Sequence, residues 1–204
     1  SPVAQAKRII RDFAPDMVIG TGGYVTGVVV KNAAKAGVPC YIHEQNAVLG
    51  MANKLLEKYA RKVFISFEES RGALQYPDKA VLSGNPIRRE FLQLDPAACR
   101  EALVPGGETF ILAFGGSLGA RTINRIAADL MEWHHETGLI HHIHGYGQIG
   151  AAEFPEMLRE RKVELSSCPE IDVREYIYNM PELMAAADLV ISRAGASTLN
   201  EIAA

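Results

Sequence analysis

Apolar runs of strand length alternate along the whole chain with longer segments of mixed polarity. In one of those longer segments, apolar residues from Ile123 to Trp133 recur at helical spacing, at Ile123, Ile126, Ala127, Leu130 and Trp133. Such alternation predicts an α/β fold in which parallel sheets are covered by helices on both faces. The eight predicted strands are residues 16–20, 38–44, 62–66, 79–84, 109–116, 139–145, 162–167 and 188–192.

Turn-forming residues interrupt this alternation near the middle of the chain. Pro86, the pair Asp95-Pro96 and the segment 105–107 (PGG) favour turns over regular structure. We therefore predict two α/β units, residues 1–84 and 85–204, with a linker that starts near Gly84. A Rossmann-like unit usually has about six strands, so we expect that both units continue beyond the ends of this sequence.

Composition and charge narrow the class of protein. The sequence has 204 residues, 48% hydrophobic and 22% charged, as in ordinary globular proteins. Residues 1–83 carry 11 Lys and Arg against 7 Asp and Glu, whereas residues 84–204 carry 10 against 17. This asymmetry suggests that the first half faces an anionic partner.

Targeting and redox signals point to a cytoplasmic protein. The three cysteines, Cys40, Cys99 and Cys168, are far apart and show no CxxC spacing, which is typical of free thiols in a reducing compartment. The longest apolar stretch, YVTGVVV at residues 24–30, is too short to cross a membrane. We find no signal peptide and expect any membrane contact to be peripheral.

A cluster of Gly115, Gly116, Ser117 and Gly119 follows the fifth predicted strand and precedes a helix. A helix start presents free N–H groups and a partial positive charge, so this turn is a candidate cradle for a diphosphate. The alternative is that the glycines only allow the helix to lie close to the strand. A nicotinamide fingerprint fits poorly, because Ser117 takes the place of its second glycine and the next strand ends without an acidic residue. A Walker A loop is excluded, since the chain has no Gly-Lys-Ser/Thr triplet.

Two further turns carry similar chemistry. Four glycines follow the first predicted strand, and that number favours close approach of a ligand over packing alone; they are Gly20, Gly22, Gly23 and Gly27. In the segment 192–201, Thr198 and Glu201 have the spacing of a helix capping box. The alternative is that Ser197 and Thr198 lie near a phosphate while Glu201 accepts hydrogen bonds from sugar hydroxyls.

Other polar clusters have both a functional and a structural interpretation. The stretch HEQN at residues 43–46 ends the second predicted strand, where it forms either a substrate-facing loop or an anchor built on a buried histidine. His142 and His144 share a strand face without a further ligand at zinc spacing, and we expect residues 170–172 (EID) to be an exposed loop. Residues 54–62 form either a solvated helix face or a contact with anionic lipid.

Five segments of the chain resemble the signature segments of the MurG family, in the family's order and over essentially the whole chain. They are GTGGYVTG, HEQNAVLG, GNPIR, FGGSLGA and SRAGASTLNEIAA. The resemblance implies a GT-B fold, in which two Rossmann-like domains face a cleft. It also implies inverting transfer of GlcNAc from UDP-GlcNAc to the 4-hydroxyl of MurNAc in undecaprenyl-pyrophosphoryl-MurNAc-pentapeptide. This conversion of lipid I to lipid II belongs to peptidoglycan synthesis and takes place at the cytoplasmic face of the bacterial inner membrane.

The resemblance also assigns residues, which divide into a donor set and an acceptor set. The donor set comprises Arg88, Gly116, Ser117, Gly119, Ile177, Ser197, Thr198 and Glu201. The acceptor set comprises Gly22, Gly23, Tyr24, His43, Gln45 and Asn46. The resemblance implies no metal and no cofactor, which agrees with the lack of a DxD sequence. The implied partners are the sugar nucleotide, the lipid-linked acceptor and an anionic membrane surface, but no nucleic acid.

The proton acceptor is the least defined part of the expected site. The family's leading candidate is a histidine in an N-terminal glycine-rich loop, which this sequence does not contain. Glu44 is the candidate within the chain, with His43 as a possible helper. The family's glutamine-bearing donor segment is also missing, so we expect this chain by itself to bind donor poorly and to turn over nothing.

Three other functions stay open from the sequence. The first is another GT-B enzyme that uses a UDP-sugar, such as a glycolipid glycosyltransferase or a UDP-GlcNAc epimerase. The second is a non-catalytic binding half that needs a partner chain. The third is a nicotinamide oxidoreductase, which the poor fingerprint around Ser117 disfavours.

Overall fold

The computed structural model describes all residues from Ser1 to Ala204. The chain divides into two compact units, Ser1–Pro86 and Ile87–Ala204, and this division falls close to the linker start expected at Gly84. Each unit has a parallel sheet of four strands, so the α/β class predicted from the alternating pattern is confirmed. No helix combines the length and the apolar character needed to cross a lipid bilayer.

The first unit contains a sheet in which strand order follows chain order, β1-β2-β3-β4. Two 3-10 turns, Glu68–Ala73 and Pro77–Lys79, separate β3 from β4. The regular elements are α1 (Pro2–Phe13), β1 (Val18–Gly20), α2 (Tyr24–Lys35), β2 (Cys40–Glu44), α3 (Met51–Leu56), β3 (Lys62–Ile65) and β4 (Ala80–Leu82).

Local chemistry explains where these elements begin and how they fit together. Ser1 caps α1 by accepting a hydrogen bond from the Ala4 N–H at 3.4 Å. A Cβ at Gly20 would lie 2.5 Å from Thr26 Cγ2, so glycine at that position lets α2 approach β1 closely. The core beneath this contact contains Val30, Ile42 and Val63, all almost fully buried. Gly20 therefore serves helix–strand packing.

The second unit contains a sheet with the strand order β7-β6-β5-β8. Successive residues of β5 point to opposite faces, and the buried residues form two separate clusters, one around Ala113 and Phe154 and the other around Leu112 and Leu183. The elements are α4 (Glu90–Gln93), α5 (Pro96–Leu103), β5 (Thr109–Phe114), α6 (Arg121–His134), β6 (Ile140–Gly145), α7 (Gly147–Glu160), β7 (Ile171–Arg174), α8 (Met180–Ala186), β8 (Leu189–Ser192) and α9 (Ala196–Ile202).

The prediction of the seventh strand was wrong. Residues 162–167 are not extended: Lys162 has a left-handed φ of 58° at the end of α7, and Leu165–Ser167 form a 3-10 turn. The strand lies instead at Ile171–Arg174, where an exposed loop was expected. Asp172 is compatible with a strand because the Arg174 guanidinium pairs with its carboxylate at 2.5 Å. The apolar character of Val163 reflects burial in the core, not strand formation.

Two helical predictions need adjustment. Helix α6 forms as predicted, but Trp133 is 72% exposed, and the buried face is shifted toward Met131 and His134. In the segment 54–62, the helix ends at Leu56 and does not continue as one basic face. The next residue, Glu57, is fully buried and accepts hydrogen bonds from the backbone N–H groups of Gln75 and Tyr76 at 2.7 and 3.1 Å.

Candidate functional site

The strand order of the second unit contains a topological switch point. The chain passes from β5 through β6 to β7 on one side of the sheet and then returns to place β8 on the other side of β5. Open α/β sheets bind ligands outside the carboxyl ends of the strands at such a point. Here the glycine-bearing turn Gly115–Gly119 follows β5, and the turn that begins after Ser192 follows β8. Both predicted ligand turns of this unit therefore border the switch point.

The turn after β5 is shaped for close approach to the start of α6. Gly116 and Gly119 have φ values of 89° and 86°, and the Gly119 N–H donates to the Gly116 carbonyl at 2.9 Å. A Cβ at Gly115 would lie 2.3 Å from the Ala120 nitrogen. The residue at the N-cap of α6, Ala120, offers no side-chain acceptor to the first N–H groups. These groups are thus not capped by a side chain and can serve an anion.

A cavity of about 310 Å³ opens beside this turn, within the second unit. Its volume is at the lower end of the range found for small-molecule sites. Every strand of the sheet contributes to the cavity wall through the residues at or after its carboxyl end. Six residues of the predicted donor set line it, namely Arg88, Gly116, Ser117, Ile177, Thr198 and Glu201.

Two members of the predicted donor set lie elsewhere. Gly119 is buried and faces the backbone of Tyr146, where a Cβ would come within 2.2 Å of the Tyr146 carbonyl oxygen. Ser197 is exposed and does not line the cavity. The capping-box interpretation of Thr198 and Glu201 was wrong, because α9 begins at Ala196 and both residues lie inside the helix.

The electrostatics of the cavity are mixed. Arg88 is the only lysine or arginine in its wall, and its guanidinium carbon lies 5.0 Å from the centre of the Phe91 ring, a cation–π contact that orients it. Glu175 and Glu201 supply carboxylates on other parts of the wall. The cavity therefore offers a cation for an anionic group and hydrogen-bond acceptors for hydroxyl groups.

The segment Glu175–Tyr178 forms a wall that the sequence reasoning largely missed. Tyr176 and Tyr178 lie on either side of the buried Ile177, with ring centres 4.8 Å apart in an edge-to-face arrangement. A Cβ at Gly145 would approach Ile177 Cδ1 to 3.0 Å, so the glycine leaves room for that side chain. Two aromatic residues directly after a strand would have been the signal, but the misplaced seventh strand concealed it.

An ion pair below this wall holds it in place. The Arg174 guanidinium donates from Nε to Asp172 at 2.9 Å and from Nη1 to the Asn179 side chain at 2.9 Å. These bonds connect β7 with the start of α8 across the loop that carries Ile177. The apolar wall of the cavity is therefore fixed at both of its ends.

In the first unit, the glycine turn after β1 leads to a second cavity, of about 670 Å³. Gly22 and Gly23 have φ values of 94° and 83°, and α2 begins at Tyr24. Gly23 and Tyr24 line the cavity, and the Tyr24 side chain is 87% exposed. The other lining residues include Met51, Leu55 and Tyr59 together with Lys31 and Lys58. This cavity is mainly apolar and has basic residues in its wall.

Glu44, the predicted catalytic residue, is 1% exposed and holds the loop that follows β2. Its Oε1 accepts from the backbone N–H and the side-chain amide of Asn46, at 3.0 and 3.1 Å. Its Oε2 accepts from the Gly50 N–H and the Asn53 side chain, both at 2.8 Å. Burial raises the pKa of this carboxyl, but the bonds from Gly50, Asn46 and Asn53 outweigh it and lower the pKa overall.

His43 and Gln45 connect three loops at the carboxyl edge of the first sheet. His43 Nε2 lies 3.0 Å from the Gly84 carbonyl oxygen, and His43 Nδ1 lies 3.2 Å from the Gln45 amide nitrogen. That same amide donates to the Thr21 carbonyl at 3.1 Å. These contacts assign the proton to His43 Nε2, since the carbonyl can only accept. Neither side chain lines the cavity beside Tyr24, and Asn46 does not line it either.

The histidines of β6 are core residues of the second unit. His142 and His144 are fully buried; His142 Nδ1 lies 2.9 Å from His134 Nε2, and His144 contacts the ring of Phe154. Burial, followed by the neighbouring histidines, lowers the pKa of His142 to about 3. Histidine, cysteine, aspartate and glutamate side chains nowhere form a group of three that could hold a metal ion.

Comparison with protein-family models identifies both parts of the chain. Residues 1–65 match the glycosyltransferase family 28 N-terminal domain, and residues 110–204 match the glycosyltransferase family 28 C-terminal domain. A Desulforamulus reducens protein named UDP-N-acetylglucosamine--N-acetylmuramyl-(pentapeptide) pyrophosphoryl-undecaprenol N-acetylglucosamine transferase is 41% identical over 199 residues. That match covers 97% of this chain and 54% of the relative, so the chain spans about half the length of the curated relatives it matches.

Solved structures give the same picture. MurG from Acinetobacter baumannii matches with a TM-score of 0.62 and 29% identity, over 98% of this chain and 53% of that one. The UDP-GlcNAc 2-epimerase of Neisseria meningitidis, solved with UDP-GlcNAc, matches with a TM-score of 0.66 and 16% identity, over 96% of this chain and 59% of that one. The second likeness concerns the fold alone.

Proposed function

We propose that this chain carries donor and acceptor regions of an N-acetylglucosaminyltransferase. The chain belongs to the MurG family within glycosyltransferase family 28. The proposed reaction moves GlcNAc from UDP-GlcNAc to the 4-hydroxyl of MurNAc in undecaprenyl-pyrophosphoryl-MurNAc-pentapeptide. The observation that carries this proposal is the cavity at the switch point between β5 and β8. There, Arg88, Ser117 and Glu201 come together around one space.

The donor nucleotide fits the distribution of groups around this cavity. The uracil would lie on the apolar wall at Ile177, between Tyr176 and Tyr178, and the diphosphate would lie at Gly116 and Ser117. Glu201 would accept hydrogen bonds from the ribose hydroxyls. The Desulforamulus reducens relative is named as a transferase that uses UDP-N-acetylglucosamine, and this supports a sugar nucleotide as the ligand class.

The same groups suit the chemistry of the transfer. The bond from the GlcNAc anomeric carbon to the diphosphate breaks while the acceptor oxygen bonds to that carbon from the opposite face, and the proton of the acceptor hydroxyl passes to a general base. Negative charge then grows on the departing diphosphate, where the N–H groups at the start of α6 and the Arg88 guanidinium would stabilise it. The stabilising groups are fixed before the reaction, which limits the reorganisation needed in the transition state.

We propose that Glu44 holds the acceptor loop and does not itself accept the proton of the acceptor hydroxyl. Both of its oxygens already accept two hydrogen bonds from residues 46–53. A carboxylate that took up a proton there would lose several of these bonds. The loop from Asn46 to Gly50 depends on them, so Glu44 contributes by fixing the shape of the acceptor region.

The first unit supports contact with a lipid-linked acceptor at the cytoplasmic membrane face. Its second cavity is mainly apolar and includes Lys31 and Lys58. Met51, which lines this cavity, and Val25, which follows the lining residue Tyr24, are 77% and 72% exposed. Exposed apolar side chains next to basic residues favour binding to an anionic lipid surface. We propose peripheral association through this face.

Calorimetric titration of the 204-residue chain with UDP, in the presence of EDTA, tests the donor site. Ser117→Ala and Arg88→Ala should each weaken binding by about fivefold to tenfold, since each removes a hydrogen-bonding or charged group from the phosphate region. Arg89→Ala is the matched control, because Arg89 is a neighbouring exposed arginine that does not line the cavity. If a folded chain does not bind UDP, or if Arg89→Ala weakens binding as much as Arg88→Ala, the donor-site assignment is wrong.

A further inference from the structure

The polar side chain of Asn124 is buried behind the glycine turn that follows β5. Asn124 lies one turn into α6 and is 1% exposed. Its Nδ2 donates to the Tyr146 carbonyl oxygen at 3.0 Å, and its Oδ1 lies 3.1 Å from His144 Nε2. A Cβ at Gly150 would approach Asn124 Nδ2 to 2.6 Å, so α7 also closes over this amide. A buried polar group in such a position normally has a specific structural task.

The carbonyl group that Asn124 holds is in direct contact with the turn. A Cβ at Gly119 would lie 2.2 Å from the Tyr146 oxygen, and a Cβ at Gly147 would lie 2.2 Å from the Gly119 nitrogen. The two backbones are therefore in contact without an intervening side chain. The Ile149 N–H also donates to the Leu118 carbonyl at 2.9 Å. The peptide group between Tyr146 and Gly147 thus forms the rear support of the turn.

His144 limits the positions that the Asn124 amide can take. Its two ring nitrogens lie 2.9 Å from the Ala113 oxygen and 3.1 Å from Asn124 Oδ1. Burial lowers the pKa of His144 to about 4, partly offset by the bond to Ala113, so the ring is neutral at pH 7. A neutral ring has one N–H and donates to one of these oxygens at a time. The imidazole also packs against the Phe154 ring, with the ring centres 4.6 Å apart.

We propose that Asn124 is a positioning residue for the segment Gly116–Gly119: by holding the Tyr146 carbonyl against Gly119, it fixes the turn on which Ser117 lies. The diphosphate part of this inference rests on the function proposed above, whereas the mechanical part does not. Ser117 and Gly116 are exposed at the tip of the turn, and only its base at Gly119 is buried. Without the Asn124 amide, the base would lose its support while the nucleoside wall at Ile177 would remain.

Amide hydrogen exchange of the full chain tests the mechanical part without a ligand. Asn124→Leu preserves the approximate volume and removes both hydrogen bonds, and Asn124→Ser is a second variant in case the first does not fold. The Gly119 and Ile149 amides should exchange about tenfold faster in both variants, relative to the Met131 amide within the same variant, because the loss of a hydrogen bond that contributes about 1.4 kcal/mol corresponds to a factor of ten. Val163→Ala is the control: it truncates the same core, 5% exposed, away from the turn.

Titration with UDP and with uridine tests the functional part. Asn124→Leu should weaken UDP binding by about tenfold and leave uridine binding unchanged, whereas Val163→Ala should change neither. If the exchange of Gly119 and Ile149 in the Asn124 variants matches that in Val163→Ala, the positioning role is refuted. Equal weakening of UDP and uridine would also refute it. If the unmodified chain does not bind UDP, the donor proposal fails, and the exchange data alone then decide whether Asn124 holds the turn.

Discussion

The buried histidines of the second unit should make its stability depend on pH in a range where carboxyl groups contribute little. His142 has its pKa lowered from 6.5 to about 3, first by burial and then by the nearby His134. The unfolded chain therefore binds a proton between these two pH values that the folded unit does not bind. Acidification favours the unfolded state across that range, and stability is fully retained only above about pH 6.5.

The size of the effect follows from the two pKa values. One pKa unit corresponds to about 1.4 kcal/mol, so His142 alone should remove about 2 kcal/mol of the free energy of unfolding between pH 7.5 and pH 5.0. His144, with its pKa lowered to about 4, should remove about the same amount. His134 and His141 shift in the same direction, mainly because of burial. The expected total is at least about 4 kcal/mol, a large part of the stability of a small domain.

Urea unfolding at the two pH values provides the assay. The single tryptophan, Trp133, lies in α6 next to His134, so its fluorescence reports on the second unit. Far-ultraviolet circular dichroism recorded in parallel separates unfolding from quenching of Trp133 by a protonated histidine. His142→Leu removes one titrating ring and should reduce the pH difference by about 2 kcal/mol, whatever its effect on stability at pH 7.5.

Val163→Ala is again the matched variant, because it weakens the same core and leaves every histidine in place. It should lower the free energy of unfolding equally at both pH values. The reasoning would be refuted if the unmodified chain were equally stable at pH 7.5 and pH 5.0. It would also be refuted if His142→Leu retained the full pH difference, since buried His142 would then not be the source.

Three substitutions test other contacts. Gly119→Ala should reduce the stability of the second unit by about 2–4 kcal/mol and weaken UDP binding. The reason is that the φ of Gly119 is 86° and that a Cβ would collide with the Tyr146 oxygen. An unchanged urea midpoint would contradict this prediction. Gly20→Ser should cost about 1–3 kcal/mol through collision with Thr26, measured by circular dichroism. Glu44→Gln should cost about 2–3 kcal/mol, since one oxygen that accepts two bonds becomes a donor. A thermal transition of Glu44→Gln equal to that of the unmodified chain would show that this carboxylate does not hold the loop.

The periodic pattern predicted most of the fold because burial on both faces of a parallel strand leaves a continuous apolar run. It failed at residues 162–167, where Val163 is apolar because it is buried in the core and not because it lies in a strand. It also failed at Asp172, whose carboxylate pairs with Arg174 two positions further along the same strand. Pattern reasoning counts apolar residues and does not detect that kind of pairing. The predicted buried face of α6 differs from the observed one for a similar reason, since Trp133 is large and apolar but exposed.

The candidate site, like the fold, could be predicted from the sequence only in part. Short glycine turns after strands are local features, so the positions of the candidate ligand turns and the side chains they carry, including Ser117, can be predicted from the chain alone. Which of those side chains line one cavity depends on the order of the strands in the sheet, and that order follows from contacts between residues far apart in the chain. The fold brings Thr198 and Glu201 into the wall of the same cavity as Ser117, turns Gly119 toward the Tyr146 backbone, and engages both oxygens of Glu44 in the loop that follows β2. Such long-range contacts leave no fixed spacing in the sequence.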